Sequence, residues 1–468
     1  MIKFPRIMIA GASSGVGKTT VTLGVMSALV KKGMVIQGFK AGPDYIDASH
    51  HNYVTGNASR NLDTWIMGDD ICCELFEHSA IKADISVIEG VMGLYDGSLD
   101  STGRGSSAHL AKVLKTPVIL VINAKGMAQS AGALVLGYKE FDKGLRLSGV
   151  IINNVASLNH YDCIKGSIEE TCSVPVLGYL HKDRGITIPE RHLGLIPFAE
   201  KKSPSSLYAR LGEMILKTVD IARLIGVAHS ADELPSHNKS VFQHKDTVCD
   251  VKIALAKDEA FCFYYNDDIE LFESLGAKII YFSPLNDKNI PGDVDGIFIG
   301  GGFPELYAEQ LMMNSSMKNS ILDASARDTI IYAECGGMMY LLEKVIGTEE
   351  RAFKMCGVLR GTSKMENKRQ GLGYVNVNAL CGNLLCNEGD TFRAHEFHWS
   401  RLLDVPKGTI FAYETRKSNG QQNGLDGIYK NNVMASYTHI HFSSNPKLAN
   451  NLLLSMSKAS GNKVVSAL

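Results

Sequence analysis

Two short stretches carry residue types at spacings that can do chemistry. In Ile7-Met-Ile-Ala-Gly-Ala-Ser-Ser-Gly-Val-Gly-Lys-Thr-Thr20 an apolar run enters a loop of small residues and turns helical at Lys18, Thr19 and Thr20. Backbone N–H groups of Gly11, Ser13, Ser14, Gly15, Val16 and Gly17 can wrap phosphates, Lys18 can reach the outer ones, and the Thr19 hydroxyl can ligate Mg²⁺. In Thr329-Ile-Ile-Tyr-Ala-Glu-Cys335-Gly-Gly337 a cysteine follows an apolar run and precedes a helical pattern. That is a nucleophile-elbow layout, with the helix start favouring the thiolate. Gly301 and Gly302, from the Gly300–Gly302 run, and Gly336 offer N–H donors for an oxyanion. A buried structural thiol is the alternative for a lone cysteine. The general base such a thiol needs is sought in Ser436-Tyr-Thr-His439-Ile-His441, where strand alternation puts both histidines on one face and does not choose between them.

Acidic residues gather downstream of the first loop. Lys40-Ala-Gly-Pro-Asp44-Tyr-Ile-Asp47 sits at the end of a predicted strand, where open α/β sheets place ligands. Asp84-Ile-Ser-Val-Ile-Glu89 reads as a buried strand delivering a carboxylate at the Walker-B position, suited to Mg²⁺. The glycine-punctuated Val91–Gly97 loop adds Asp96. Asn123, Asn153 and Asn154, at strand ends, are read equally well as base-contacting or as turn residues. His395-Glu-Phe-His398 lacks metal-binding His spacing and is read as structural or substrate-side.

Apolar runs at Ile7–Ala10, Met34–Phe39, 84–89, Pro117–Asn123, Gly149–Asn153 and Pro175–Tyr179 alternate with helical patterns, which predicts a mostly parallel sheet with crossover helices. The pattern restarts with strands at Val251–Ala256, Lys278–Phe282, 296–299 and 329–334. Between the two, residues 226–249 are polar and aperiodic. The expected division is therefore 1–225, a linker at 226–249, and 250–468.

With 468 residues, 45% hydrophobic and 21% charged, the chain can bury more than one core. A net charge of −1 gives no drive towards nucleic acid or anionic membrane. No apolar run reaches the ~18 residues that span a bilayer, and the N-terminal run lacks a signal-peptide layout. The ten cysteines show no paired CxxC spacing, which fits reduced thiols in the cytoplasm, and Cys381 and Cys386 are too isolated to propose zinc.

Taken together, these motifs resemble the cobyrinic acid a,c-diamide synthase family, which includes the nickel-sirohydrochlorin a,c-diamide synthases. The resemblance rests on the first loop, Lys40–Asp47, Ile88–Asp96, Pro189–Gly194, Ala260–Tyr265, Gly300–Glu305, Ala333–Gly337, Arg393–His398 and Ala435–His439. The loop itself, with Gly11 one place earlier than the usual Walker glycine, resembles the longer form of dethiobiotin synthetase-like proteins. The resemblance implies an α/β chain of two domains: a P-loop, dethiobiotin synthetase-like parallel-sheet synthetase and a class I glutamine amidotransferase-like domain. It implies ATP and Mg²⁺ as cofactors, glutamine and a tetrapyrrole polycarboxylate as substrates, and leaves room for a homodimer. Cys335 would be the glutaminase nucleophile and His439 its base, with Lys40, Asp44 and Asp96 in the synthetase site and Thr19, Asp47 and Glu89 on the metal. Ordinary class I amidotransferases carry Glu two residues after that histidine. Here the place is His441, so a Cys–His dyad is the expectation. Two other readings stand beside this one: a nucleotide-switched ATPase with an inert second half, and an amidoligase on another polycarboxylate. Switch ATPases of that kind carry a signature Lys where this loop has Ser13, and have no use for a cysteine elbow.

Overall fold

The computed structural model describes residues 3–100, 102–182, 190–191, 194–195, 205–242, 247–248, 250–461 and 465–466. Pro189, His192 and Leu193 of the Pro189–Gly194 stretch lie outside the described residues. The chain divides into two compact units, Met1–Asn238 and Lys239–Leu468. Part of the stretch expected to be linker is not: Gly226–His229 closes the helix Ile221–His229, and the buried Arg6 donates from Nη2 to Asp232 O at 2.6 Å.

In the first unit seven strands form one sheet: β1 (Arg6–Gly11), β2 (Ile36–Ala41), β3 (Arg60–Leu62), β4 (Ile85–Gly93), β5 (Val118–Asn123), β6 (Leu147–Val155) and β7 (Val176–His181). Their order is β3-β2-β4-β1-β5-β6-β7, every pair parallel, as the alternating pattern predicts. β1 and β2 are buried throughout, because a parallel sheet is covered on both faces. The helix Lys18–Lys31 lays Val21, Val25 and Leu29, one face at four-residue spacing, on the core formed by Ile7, Ile9 and Ile119. It also meets the helix Ser205–Thr218, where Ser27 Oγ donates to Tyr208 O at 2.9 Å.

The second unit is built on a ten-stranded sheet. Five strands, Ala277–Phe282, Val251–Ala256, Gly296–Ile299, Ile330–Glu334 and Val433–Ser436, lie side by side and parallel. Antiparallel strands continue it in the order Gln422–Lys430, Ile410–Lys417, Gly371–Ala379, Thr391–His398 and Thr438–His439. This antiparallel half was not anticipated from the sequence. Val433–Ser436 and Thr438–His439 are separated by one residue, yet they occupy the fifth and tenth places in the sheet. The sheet therefore curls back on itself and brings His439 to the edge of the parallel half. Asp426 fixes the crossing, accepting from Tyr437 N at 3.0 Å, Thr438 N at 2.8 Å and Thr438 Oγ1 at 2.7 Å.

Candidate active sites

The small-residue loop connects β1 to its helix at the C-terminal edge of the first sheet. Gly17 has φ 93°, a conformation that L side chains rarely adopt, and a Cβ there would strike the Asn153 amide. Asn153 Nδ2 donates to Val16 O at 2.9 Å, and Tyr138 donates its hydroxyl proton to Ala12 O. Asn153 thus braces the loop, while Asn154 Nδ2 donates to Asn123 Oδ1 at 3.1 Å. Ser13, Ser14 and Gly15 are exposed, and Lys18 is buried. Burial lowers the Lys18 ammonium below its ordinary pKa, and the Lys40 charge lowers it further.

Behind the loop lies a buried polar cluster. Lys40 and Glu89 are register partners on β2 and β4, so their side chains leave the sheet side by side. Lys40 Nζ is 3.1 Å from Glu89 Oε1, 2.6 Å from Asp47 Oδ2, and donates to Gly90 O at 3.0 Å. The same Glu89 Oε1 accepts from Thr19 Oγ1 at 2.5 Å, and Oε2 lies 2.8 Å from His51 Nε2. Burial opposes charge on Glu89, but Lys40, His51 and Thr19 outweigh it and hold the carboxyl well below the usual carboxylate range. Burial likewise works against the Lys40 ammonium, yet Asp47, Glu89 and Asp44 keep it above its ordinary value. Asp47 is pushed up, first by burial and then by Asp44 and Glu89.

The other two acids of this site lie differently. Asp44 caps the helix Tyr45–Thr55, its Oδ1 accepting from Ile46 N at 2.8 Å and Asp47 N at 3.1 Å. Asp96 is exposed and accepts from Gly93 N at 2.8 Å. His51, between Glu89 and Ser59, belongs to the cluster but carried no sequence signal, since it sits on a helix face with no motif around it. Among the described residues no group of three or more His, Cys, Asp and Glu could hold a metal ion.

In the second unit the chain turns sharply at Cys335, with φ 46° and ψ −103°, between the strand Ile330–Glu334 and the helix Gly336–Leu341. Strained torsions of this kind persist where the surroundings over-determine them. Only glycine fits after the turn. A Cβ on Gly337 would lie 2.8 Å from the Ile299 carbonyl carbon, and one on Gly336 only 3.0 Å from Gly302 N. Gly302 and Gly336 therefore flank the elbow, and Gly301 lies beside His439, whose ring carbon would be 2.7 Å from a Cβ there. The Gly300 N–H is already committed to Tyr264 Oη at 2.7 Å.

His439 is the histidine at this elbow. Burial opposes its protonation, but the neighbouring Cys335 and Glu334 raise it to about 10. Glu334 Oε2 is 3.5 Å from His439 Nδ1. His395, register partner of His439, stacks on it at 5.0 Å and 19°, and burial together with His439 and His441 keeps His395 neutral. Phe397 O is 3.9 Å from Cys335 Sγ, so the His395–His398 stretch borders Cys335. His441 belongs elsewhere. Its Nδ1 lies 3.1 Å from Asp268 Oδ1, and its ring stacks on Tyr265 at 4.2 Å. The direction that alternation left open is settled by the end of the strand at His439.

Two family models match the chain. Residues 7–196 match the CobQ/CobB/MinD/ParA nucleotide binding domain, and residues 252–447 the CobB/CobQ-like glutamine amidotransferase domain. A cobyrinate a,c-diamide synthase of Dehalococcoides mccartyi (strain CBDB1) is 41% identical, covering 97% of this chain and 98% of the relative. The chain belongs to the cobyrinate a,c-diamide synthase family. A synthase of the same name from Listeria monocytogenes serotype 4b (strain F2365) is 45% identical over 94% of this chain and 97% of its own. One from Methanosarcina barkeri (strain Fusaro / DSM 804) is 41% identical over 93% of each. Nucleotide-binding and glutamine amidotransferase domains in one chain of this family make it an ATP- and glutamine-dependent amide ligase. No described helix is long and apolar enough to cross a membrane.

Proposed function

We propose that the chain amidates the a and c acetate carboxylates of cobyrinic acid, using ATP to activate each carboxylate and glutamine to supply the nitrogen. The observation that carries this is the combination, in one chain, of a phosphate loop backed by the Thr19–Lys40–Glu89 cluster and an elbow cysteine with His439 beside its glycines. A nucleotide switch would need only the first.

A carboxylate does not accept ammonia at useful rates, so its oxygen attacks the γ-phosphorus of ATP and ADP departs, leaving an acyl phosphate. Lys18 and Lys40 offset the charge on the transferring phosphoryl group, with Asp44 and Asp96 at the margins of the site. Thr19 and Glu89 present hard oxygens 2.5 Å apart, a donor pair that suits Mg²⁺, which keeps several waters and takes few protein ligands. They would hold the ion, whose charge when bound favours the phosphates. Asp47 enters the cluster through Lys40.

In the second unit Cys335 Sγ attacks the side-chain amide carbon of glutamine. Gly302 and Gly336, with Gly301, are the N–H candidates for the oxyanion. His439 takes the thiol proton of Cys335 and gives it to the departing amide nitrogen, which leaves as ammonia, and water then hydrolyses the thioester to glutamate. Ammonia attacks the acyl phosphate, phosphate leaves, and a second round completes the diamide. None of the nine described cysteines forms a disulfide, which supports a reducing, cytoplasmic location.

The test is ATP- and glutamine-dependent turnover of cobyrinic acid and nickel-sirohydrochlorin side by side, read by mass spectrometry. Two successive mass losses of one unit on cobyrinic acid are expected. Turnover of nickel-sirohydrochlorin alone would reassign the substrate, and turnover of neither would overturn the tetrapyrrole reading.

A further inference from the structure

The dyad expected from the sequence leaves the His439 ring without an orienting partner, and the residue two places on is engaged with Asp268. A different carboxylate stands against the ring. We propose that Glu334 is the third member of the glutamine-hydrolysing site, a positioning residue that fixes the His439 ring through Nδ1. The inference rests on the roles proposed for Cys335 and His439.

Glu334 comes from the strand that delivers Cys335, which strand alternation would point to the opposite face. The turn at Cys335 breaks that alternation, so two consecutive residues address one imidazole. The two oxygens of Glu334 do different work. Oε1 accepts from Tyr332 Oη at 2.7 Å and Ile440 N at 3.2 Å, and Ile440 is the residue after His439. Oε2 faces His439 Nδ1 at 3.5 Å. With its Oε1 bonds to the main chain and Tyr332, the carboxylate is held in place rather than free to swing. An Nδ1–H donated to it leaves Nε2 as the nitrogen for the Cys335 thiol, so the hydrogen bond sets the tautomer. Both groups are buried, so their attraction is little screened by water.

The other titratable groups around His439 do not supply this contact. His395 stacks on the ring face and stays neutral. Glu396 pairs with Thr438 in register, and alternation sends it to the face away from His395 and His439. Its two oxygens accept from Asn423 Nδ2 at 3.1 and 2.9 Å. Asp426 is committed to Tyr437 N and Thr438, His398 bonds Ser400 O, and His441 stands against Asp268.

The experiment compares Glu334→Gln with Tyr332→Phe in the full chain, measuring glutamine hydrolysis from pH 6 to 10. Glutamine keeps an Oε1 acceptor for Tyr332 and Ile440 and replaces only the oxygen that faces His439. Expected for Glu334→Gln is a kcat lower by ~10-fold or more at near-constant KM, the signature of an interaction made in the transition state. The alkaline limb, where His439 loses its proton, should move down by about one pH unit. Tyr332→Phe removes one Oε1 bond, so it should lower thermal stability and leave that limb in place. Wild-type kcat and limb position in Glu334→Gln, or an equal shift in Tyr332→Phe, overturns the proposal. Should Glu334→Gln fail to fold, ¹⁵N-histidine NMR of the wild type decides. His439, assigned against His439→Gln, should carry a proton on Nδ1 across the range and titrate above the ordinary histidine value; an Nε2–H tautomer or ordinary titration refutes the idea. A Cys335→Ala chain that still hydrolyses glutamine would instead refute the underlying assignment of the nucleophile.

Discussion

Replacing Lys40 by methionine removes the cation that lies between Asp47 and Glu89 and keeps most of the buried hydrocarbon. With an effective dielectric of about 20, ion pairs at 2.6 and 3.1 Å amount to about 6 and about 5 kcal/mol of attraction. Much of that offsets the cost of burying the ammonium, and losing one partner of a buried pair costs about 3–5 kcal/mol net. Burial and the neighbouring acids push Asp47 above the usual carboxylate range, which weakens its demand for a counter-ion, so the loss should fall near the lower end, about 3 kcal/mol. Glu89 gives the pH dependence. In the wild type its folded pKa is depressed, so it stabilises above the unfolded carboxylate pKa, and that contribution fades as pH falls. In the variant burial dominates and raises Glu89, giving a penalty that is relieved as pH drops through the raised value. The difference between the two proteins must therefore narrow from pH 7 to pH 5. Trp65 is buried in the first unit and the only other tryptophan is Trp399, so urea unfolding in a Trp399→Phe background reports the first unit alone. The midpoint should fall by roughly 1 M at pH 7. A loss under about 1 kcal/mol, or a gap that holds or widens at pH 5, would refute the reasoning that Lys40 neutralises a buried acidic pair.

Lys18→Ala should abolish ATP-dependent amidation with a normal circular dichroism spectrum; retained amidation would remove the loop lysine from the mechanism. Cys335→Ala should lose all glutamine-dependent product because no thioester forms, and high ammonium should restore amidation by direct attack on the acyl phosphate. Product from glutamine in that variant, or no rescue in a chain that still binds ATP, contradicts the two-site scheme. Asn153→Ala removes the bond to Val16 O, and the apparent KM for ATP should rise several-fold while kcat changes less; an unchanged KM means the loop holds its shape without that brace.

The sequence by itself determined the elements that carry local information. The small-residue loop, the parallel strands around it and the cysteine elbow were legible because steric rules for glycine, helical periodicity and buried apolar runs act over a few residues. The family followed from motifs of the same short range. Partnerships across the sheets were decided only by tertiary structure. Lys40 meets Glu89 because β2 and β4 are neighbours in register, though 49 positions apart in the chain, and His51 joins them from a helix face without any motif. Which of His439 and His441 lies beside the Cys335 elbow depends on a sheet that curls to bring its tenth strand beside its parallel half, held by Asp426. The place of Glu334 was hidden for the opposite reason. It adjoins Cys335 in sequence, but strand alternation sends neighbours to opposite faces, and only the strained turn at Cys335 lets both reach one ring.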